Sequence, residues 1–188
     1  VASVLNEVTQ TYANLSLRLG AVFYRDEGDA FVVRNFALST NLNDIIDRIK
    51  EQEASGGGDY PEAVDLGLQK GIDQQVWSEN AVARLAFIIL DAPPHHVNKA
   101  IENMQQTSRM ANQEGVKIIP VTASGTDLST EMLMRFLAIS TNGTYVFVTD
   151  DSGIGGDHLE PSVGNYEVEY LNDLLIRLIK KYSHVKSY

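Results

Sequence analysis

Two acidic residues stand beside features that bring ligands close to the backbone. Asp91 follows residues 84–90, the most apolar run of the chain, and α/β sheets commonly bind ligands where such strands end. Asp59 follows three glycines, which let the backbone bend sharply or approach a ligand closely. Because hard divalent cations prefer oxygen ligands, Asp91 and Asp59 predict a metal site. The alternatives are a helix cap for Asp91 and a turn residue or helix cap for Asp59.

Other residues in the same two segments predict the rim of this site. Ser55, Gly57 and Gly58 precede Asp59, and His95 follows Asp91 by four residues. A zinc site at His95 is disfavoured, because its neighbour His96 points elsewhere and no His-x-x-x-His pattern is nearby. We therefore interpret His95 as part of the site rim or of the entry to the next helix.

Further acidic clusters are more typical of solvated loops. Asp26 and Asp29 flank a glycine in a predicted hairpin, where a solvated turn is favoured over calcium binding. Tyr24 and Arg25 are interpreted as bracing that hairpin. A second cluster lies in a long polar segment and is read as an acidic loop; its members are Asp150, Asp151, Asp157 and His158.

Catalysis is disfavoured because no nucleophile with a paired base can be identified. Ser124 lies in Ser-Gly-Thr-Asp, without the G-x-S-x-G pattern of a nucleophile elbow. The three glycines lack the Gly-Lys-Ser/Thr ending of a phosphate loop and the context of a dinucleotide fingerprint. We expect a binding protein and no enzyme, with an α/β hydrolase or nucleotide-binding domain as the weaker alternative.

Length and composition indicate one globular domain over residues 1–188. Hydrophobic residues make up 44% and charged residues 21% of the 188, which fits a single core. The net charge of −10 would repel phosphate backbones, so we expect no nucleic-acid partner. No apolar run is long enough to span a membrane. With no cysteine in the chain, disulfides and thiolate metal sites are excluded.

Helical and strand patterns alternate along the chain and predict an α/β fold. The sheet should be doubly wound and mostly parallel, with one antiparallel edge strand and helices on both faces. Apolar runs predict strands at residues 17–24, 31–38, 84–90, 116–121 and 144–149. Helical periodicity predicts helices at residues 1–15 and 41–54, one that begins at Pro61, one that Gly115 ends, one at residues 128–141, and a final one that includes Leu171.

Three motifs in order resemble the von Willebrand factor type A (vWA) domain family. They are GAVFYRD at residues 20–26, SGGGDYPEAV at residues 55–64 and LDAPPH at residues 90–95. The resemblance covers nearly the whole chain, and the motifs resemble those of a subfamily found in mostly uncharacterised bacterial proteins and some eukaryotic kinases. It implies a protein-binding domain and favours an extracytoplasmic location.

The resemblance also implies a metal-ion-dependent adhesion site (MIDAS) at the carboxyl ends of the strands. There, magnesium, or another divalent cation such as manganese or calcium, would bind a carboxylate of a protein partner. Asp91 matches the ligand of the family's third loop, and Asp59 lies at or beside the second-loop position where threonine is usual. The Asp-x-Ser-x-Ser motif of the first loop is absent, so the metal site would be partial. A metal-free assembly domain is therefore the alternative.

The family's first strand, central in the order 3-2-1-4-5-6, has no counterpart in the chain. Without it, the inner edges of the strands at 17–24 and 84–90 are unpaired, at a cost of about 1–3 kcal/mol for each buried polar group. We expect an N-terminal truncation with an upstream segment filling the gap. The alternatives are a strand donated by a second copy in an exchanged dimer, or closure of the two edges on each other.

Overall fold

The structure, a computed structural model, describes residues 1–11, 16–53, 60–123, 126–148 and 169–183. Its strands are β1 (Leu19–Tyr24), β2 (Val33–Ser39), β3 (Arg84–Leu90), β4 (Val116–Thr122) and β5 (Val146–Phe147). Its helices are α1 (Ala2–Thr11), α2 (Leu42–Lys50), α3 (Val64–Asp73), α4 (Asn98–Gln113), α5 (Leu128–Ser140) and α6 (Leu171–Tyr182). The predicted α/β class is confirmed.

The strands form two sheets, and within the described residues no backbone strand pairing joins one sheet to the other. β1 pairs antiparallel with β2, and β3, β4 and β5 are parallel in that order. The mostly parallel sheet with an antiparallel pair is therefore confirmed. The alternative in which the edges of β1 and β3 close on each other is wrong, because these strands do not pair.

Backbone alternation shows which groups lie on the unpaired edges. The amide of Ala123 donates to the carbonyl of Leu90, so even-numbered residues of β3 bond to β4 and Phe87 and Ile89 point away from it. In β1, the amide of Arg25 donates to Val32, which leaves Val22 and Tyr24 on the edge away from β2. Each sheet thus has one free inner edge.

Helices cover both faces of the parallel strands, as predicted. On one face α3, α4 and α5 contribute to a buried cluster with β3 and β4 that includes Val64, Leu68, Met104, Met134, Leu137, Ile88 and Ile118. On the other face Leu178 of α6 packs on Ile119, Val121 and Val146. Helix α1 lies against α6. No described helix is long and apolar enough to cross a membrane.

The last strand is shorter than the predicted span of residues 144–149. The amide of Val148 donates to Thr122, so even-numbered residues of β4 face β5. Pro120 is one of these and has no N–H to donate. The ladder therefore cannot continue towards Thr144, and β5 begins at Val146.

Candidate functional site

Three chain segments meet at the carboxyl ends of β1 and β3. They are the turn after β1, the residues before α3 and the loop after β3. The amide of Glu62 donates to the carbonyl of Pro93 at 2.9 Å, and Glu62 forms a parallel bridge with Pro94. This backbone contact fixes the segment before α3 on the loop that contains Asp91 and His95. We call the region the loop rim.

The contact explains why the helix does not begin at Pro61, where it was predicted. Glu62 is bonded to the loop after β3, residues 61–63 are not helical, and α3 begins at Val64 after Ala63 as N-cap. The pattern of a proline at the first helical position was therefore misleading here, because a tertiary backbone bond took precedence over the local preference. Glu62 consequently lies at the loop rim and outside the helix.

Asp26 and His95 form a pair across the division between the two sheets. His95 Nε2 lies 2.6 Å from Asp26 Oδ1, and Asp26 is only 6% exposed. The prediction of a solvated turn at Asp26 is therefore wrong: the carboxylate is buried with an imidazole partner. Sequence reasoning missed this pair, although both residues follow strands expected to end at the same rim. That shared position was the only available signal.

Tyr24 makes a second link across the same division. Its hydroxyl donates to the carbonyl of Ile89 at 2.8 Å, one of the backbone groups on the free edge of β3. Burial raises the pKa of this hydroxyl, and the nearby carboxylates of Asp91 and Glu62 raise it further. Tyr24 is therefore a neutral donor that holds the carboxyl ends of β1 and β3 together.

Glu62 has a raised pKa because of its surroundings at the loop rim. Desolvation raises its pKa, and the negative charges of Asp26, Asp29 and Asp91 raise it further, whereas His95 acts in the opposite direction. Its Oε2 atom is buried and has no hydrogen-bond partner in the described part of the chain. The loop rim is thus a region of negative potential with an unsatisfied oxygen.

Asp91 lies at this rim with an exposed side chain. Its charge acts on Tyr24 and Glu62, and within the described ranges no hydrogen bond to its carboxylate occurs. The alternative that Asp91 caps the next helix is wrong, because α4 has Val97 as its N-cap, without a side-chain cap. The carboxylate of Asp91 is therefore accessible to a ligand.

The remaining predicted site residues are only partly covered by the structure. Four of them lie outside the described residues: Asp59, Ser55, Gly57 and Gly58. The acidic segment with Asp150, Asp151, Asp157 and His158 also lies outside them.

His95 and His96 diverge in the structure. His96 lies 3.6 Å from Asp127, which caps α5 by accepting from the amide of Thr130. Among the residues that are described, no three acidic or histidine side chains gather into a group that would hold a metal ion. The described loop rim therefore supplies accessible and unsatisfied carboxylate oxygens without a complete ligand set.

Comparison with known proteins identifies the family. A model of the von Willebrand factor type A domain matches residues 1–156. The chain is also similar to a putative ariadne-like RING finger protein of Acanthamoeba polyphaga mimivirus, with 30% identity over 97 residues. The match covers 52% of this chain and 9% of that protein, so the chain resembles a small part of it. The strand order on both sides of the division agrees with the vWA arrangement, and the chain belongs to the von Willebrand factor type A domain family.

Proposed function

We propose that the chain is a protein-binding module whose ligand sits on the loop rim. vWA domains are commonly protein-interaction modules, which gives the general class. The finer part of the proposal is that a divalent cation, magnesium in the first instance, bridges the chain to a carboxylate of its partner. Asp91 and Asp59 would hold the cation, with Ser55, Gly57, Gly58 and His95 around it.

The electrostatics of Glu62 are the observation that carries the proposal. A buried, unpartnered carboxylate oxygen beside three further negative charges is unfavourable for the free protein. A cation at the loop rim would offset this repulsion and satisfy oxygen atoms that have no donor. The carboxylates of Asp91 and Glu62 lie close enough for the charge of one to act on the other, and such oxygen ligands suit magnesium, manganese or calcium.

The other residues of the loop rim are suited to positioning. Asp26 is committed to His95, and Tyr24 to the carbonyl of Ile89, so these side chains hold the loops in place. Among the carboxylates of the described loop rim, which are those of Asp26, Asp29, Glu62 and Asp91, only that of Asp91 is both exposed and without a hydrogen bond. This division of roles supports Asp91 as the group that contacts the cation.

Calorimetric titration of the chain with Mg²⁺ or Mn²⁺ tests the cation. We expect saturable binding that Asp91→Ala weakens at least about tenfold, which corresponds to about 1.4 kcal/mol. Asp73→Ala is the matched control, because this exposed carboxylate ends α3 at the opposite end of the sheet. Absence of saturable binding, or an equal effect of both substitutions, would remove the cation from the proposal.

A metal-free assembly domain is the second candidate. It is favoured by the commitment of Asp26 to His95 and by the missing metal-ligand group within the described residues. Partner binding that persists in a chelator and is weakened by Asp91→Ala would support this candidate. Turnover of a substrate by the purified chain, abolished by Asp91→Ala, would contradict both candidates and indicate an enzyme.

A further inference from the structure

Helix α5 has apolar residues on two opposite sides. One side is buried against the core and includes Met134, Leu137 and Ala138. The other side carries four large apolar side chains that are between 47% and 78% exposed: Leu128, Met132, Phe136 and Ile139. We call these four residues the α5 stripe.

The geometry of an α-helix makes the α5 stripe continuous. At about 100° per residue, its four members fall within about 80° of one another, on the side opposite the buried face. They line a single shallow depression with Glu131 and Arg135. A second apolar face on a helix is expected to be buried as well, and an exposed apolar patch of this kind marks an interaction surface.

We propose that the α5 stripe binds the same stripe of a second copy of the chain. The two helices would run antiparallel about a twofold axis between Met132 and Phe136. This arrangement places Met132 opposite Phe136 of the second copy, and Leu128 within one residue of the position opposite Ile139. The stripe is thus self-complementary in length and spacing, as a twofold interface requires.

The charges of α5 fit the same arrangement. Glu131 and Arg135 are its only charged residues; they pair at 2.6 Å and flank the stripe on one side. In an antiparallel pair that flank faces its own copy, so Arg135 lies at the level of Glu131 of the second copy. The interface therefore brings opposite charges together in both directions.

Net charge restricts which surface could self-associate. A chain with a charge of −10 repels its own copies, so the contact surface must be poor in carboxylates. The only carboxylate within α5 is already paired with Arg135. Raising the ionic strength should strengthen the dimer, because it screens the repulsion between the remaining charges.

Sedimentation equilibrium over a range of protein concentrations tests the dimer. We expect the unmodified chain to dimerise and Met132→Glu to weaken dimerisation at least about a hundredfold, because two charges would be buried in the interface. Val76→Glu is the control, since Val76 is 76% exposed and Met132 is 74% exposed. A chain that is monomeric at every concentration would overturn the proposal.

The thermal unfolding of the Met132→Glu monomer separates self-association from cover by another part of the same chain. Measured at a protein concentration at which the unmodified chain is also monomeric, an unchanged melting temperature of Met132→Glu supports the proposal. A large drop, absent in Val76→Glu, would mean that the stripe is buried within one molecule and would overturn it.

A charge exchange tests the antiparallel arrangement. Arg135→Glu should weaken the dimer at least about tenfold, because it places like charges across the interface. The double variant Glu131→Arg, Arg135→Glu keeps the pair with its signs reversed, and we expect it to recover most of the affinity. A double variant as weak as the single variant would overturn the antiparallel pairing.

Discussion

The hydroxyl of Tyr24 satisfies a backbone carbonyl on the free edge of β3, that of Ile89. Tyr24→Phe keeps the ring and removes the donor, so the carbonyl loses its partner. We expect the free energy of unfolding to fall by about 0.5–1.5 kcal/mol, the usual net value of one hydrogen bond. Urea unfolding measures this difference.

The control for this substitution is Tyr170→Phe, because Tyr170 is exposed on the surface before α6. We expect it to leave the midpoint of urea unfolding unchanged. Equal midpoints for Tyr24→Phe and the unmodified chain would show that the bond to Ile89 contributes nothing to stability.

Glu62 predicts a pH-dependent stability. Desolvation, and then the charges of Asp26, Asp29 and Asp91, raise its pKa in the folded state. The folded protein therefore holds this proton more tightly than the unfolded chain does. The contribution of Glu62 to stability is fully present below its ordinary pKa, near pH 4, and is lost as the pH rises through the raised value.

Glu62→Gln should consequently be more stable than the unmodified chain at pH 7 and equally stable near pH 3. Thermal unfolding at both pH values measures the difference. Glu102→Gln is the control, since Glu102 is exposed on α4, and it should show no such pH-dependent gain. A destabilised Glu62→Gln at pH 7 would indicate that the carboxylate is satisfied by a donor.

At the scale of elements, α3 is packed against β1 through a glycine. A Cβ atom added at Gly67 would lie 2.6 Å from the Tyr24 ring, whereas one added at Gly71 has Val22 at 3.9 Å as its nearest neighbour. Helix propensity favours alanine at both positions. At Gly67, however, packing disfavours alanine, because the Tyr24 ring would have to move to make room for the added Cβ atom.

We expect Gly67→Ala to destabilise the chain by about 1–3 kcal/mol through overpacking, and Gly71→Ala to stabilise it by up to about 1 kcal/mol. Chemical denaturation of the two variants beside the unmodified chain measures both signs. Equal stabilisation by the two substitutions would show that Tyr24 relaxes freely away from α3.

Local sequence patterns were sufficient for most elements. The strand predicted at residues 84–90 is β3 without change, because a continuous apolar run specifies a buried strand. Gly115 ends the helix before it with a φ of 66°, a conformation that glycine adopts at little cost. Asn41 caps α2 by accepting from the amide of Asp44, a role that asparagine commonly has at the start of a helix.

The errors arose where a distant residue determines the local structure. β5 is short because Pro120 of the neighbouring strand lacks a donor, and α3 begins late because Glu62 is bonded to Pro93. The pair of Asp26 and His95 joins residues that are 69 positions apart. Periodicity carries no information about such contacts, so the sequence predicted the rim at which they meet but not the pair itself.

At the scale of the whole molecule, the division between β1 and β3 should be measurable in solution. In β3 the amides of Ile88 and Leu90 bond to β4, whereas those of Phe87 and Ile89 face the division. We expect the second pair to exchange with solvent faster, because the described residues provide no backbone acceptor for them. Hydrogen exchange followed by NMR resolves the alternation residue by residue.

The neighbouring amides are the internal control for this experiment, since they share the same strand and the same helices above and below. Uniform protection along β3 would contradict an open edge. It would instead indicate that another strand, such as one from a second copy, occupies the division in solution.

Side-chain bonds that cross the division join Tyr24 to Ile89 and Asp26 to His95, and both of these bonds lie at the loop rim. A mechanical force that separates the β1–β2 hairpin from β3 would therefore act on these bonds first. The packing of α3 against β1 would resist the force next. We expect tension to open the molecule at the loop rim, which is the proposed ligand site. A ligand bound to both loops would carry part of the applied force. Ligand binding should therefore raise the force needed to separate the hairpin from β3.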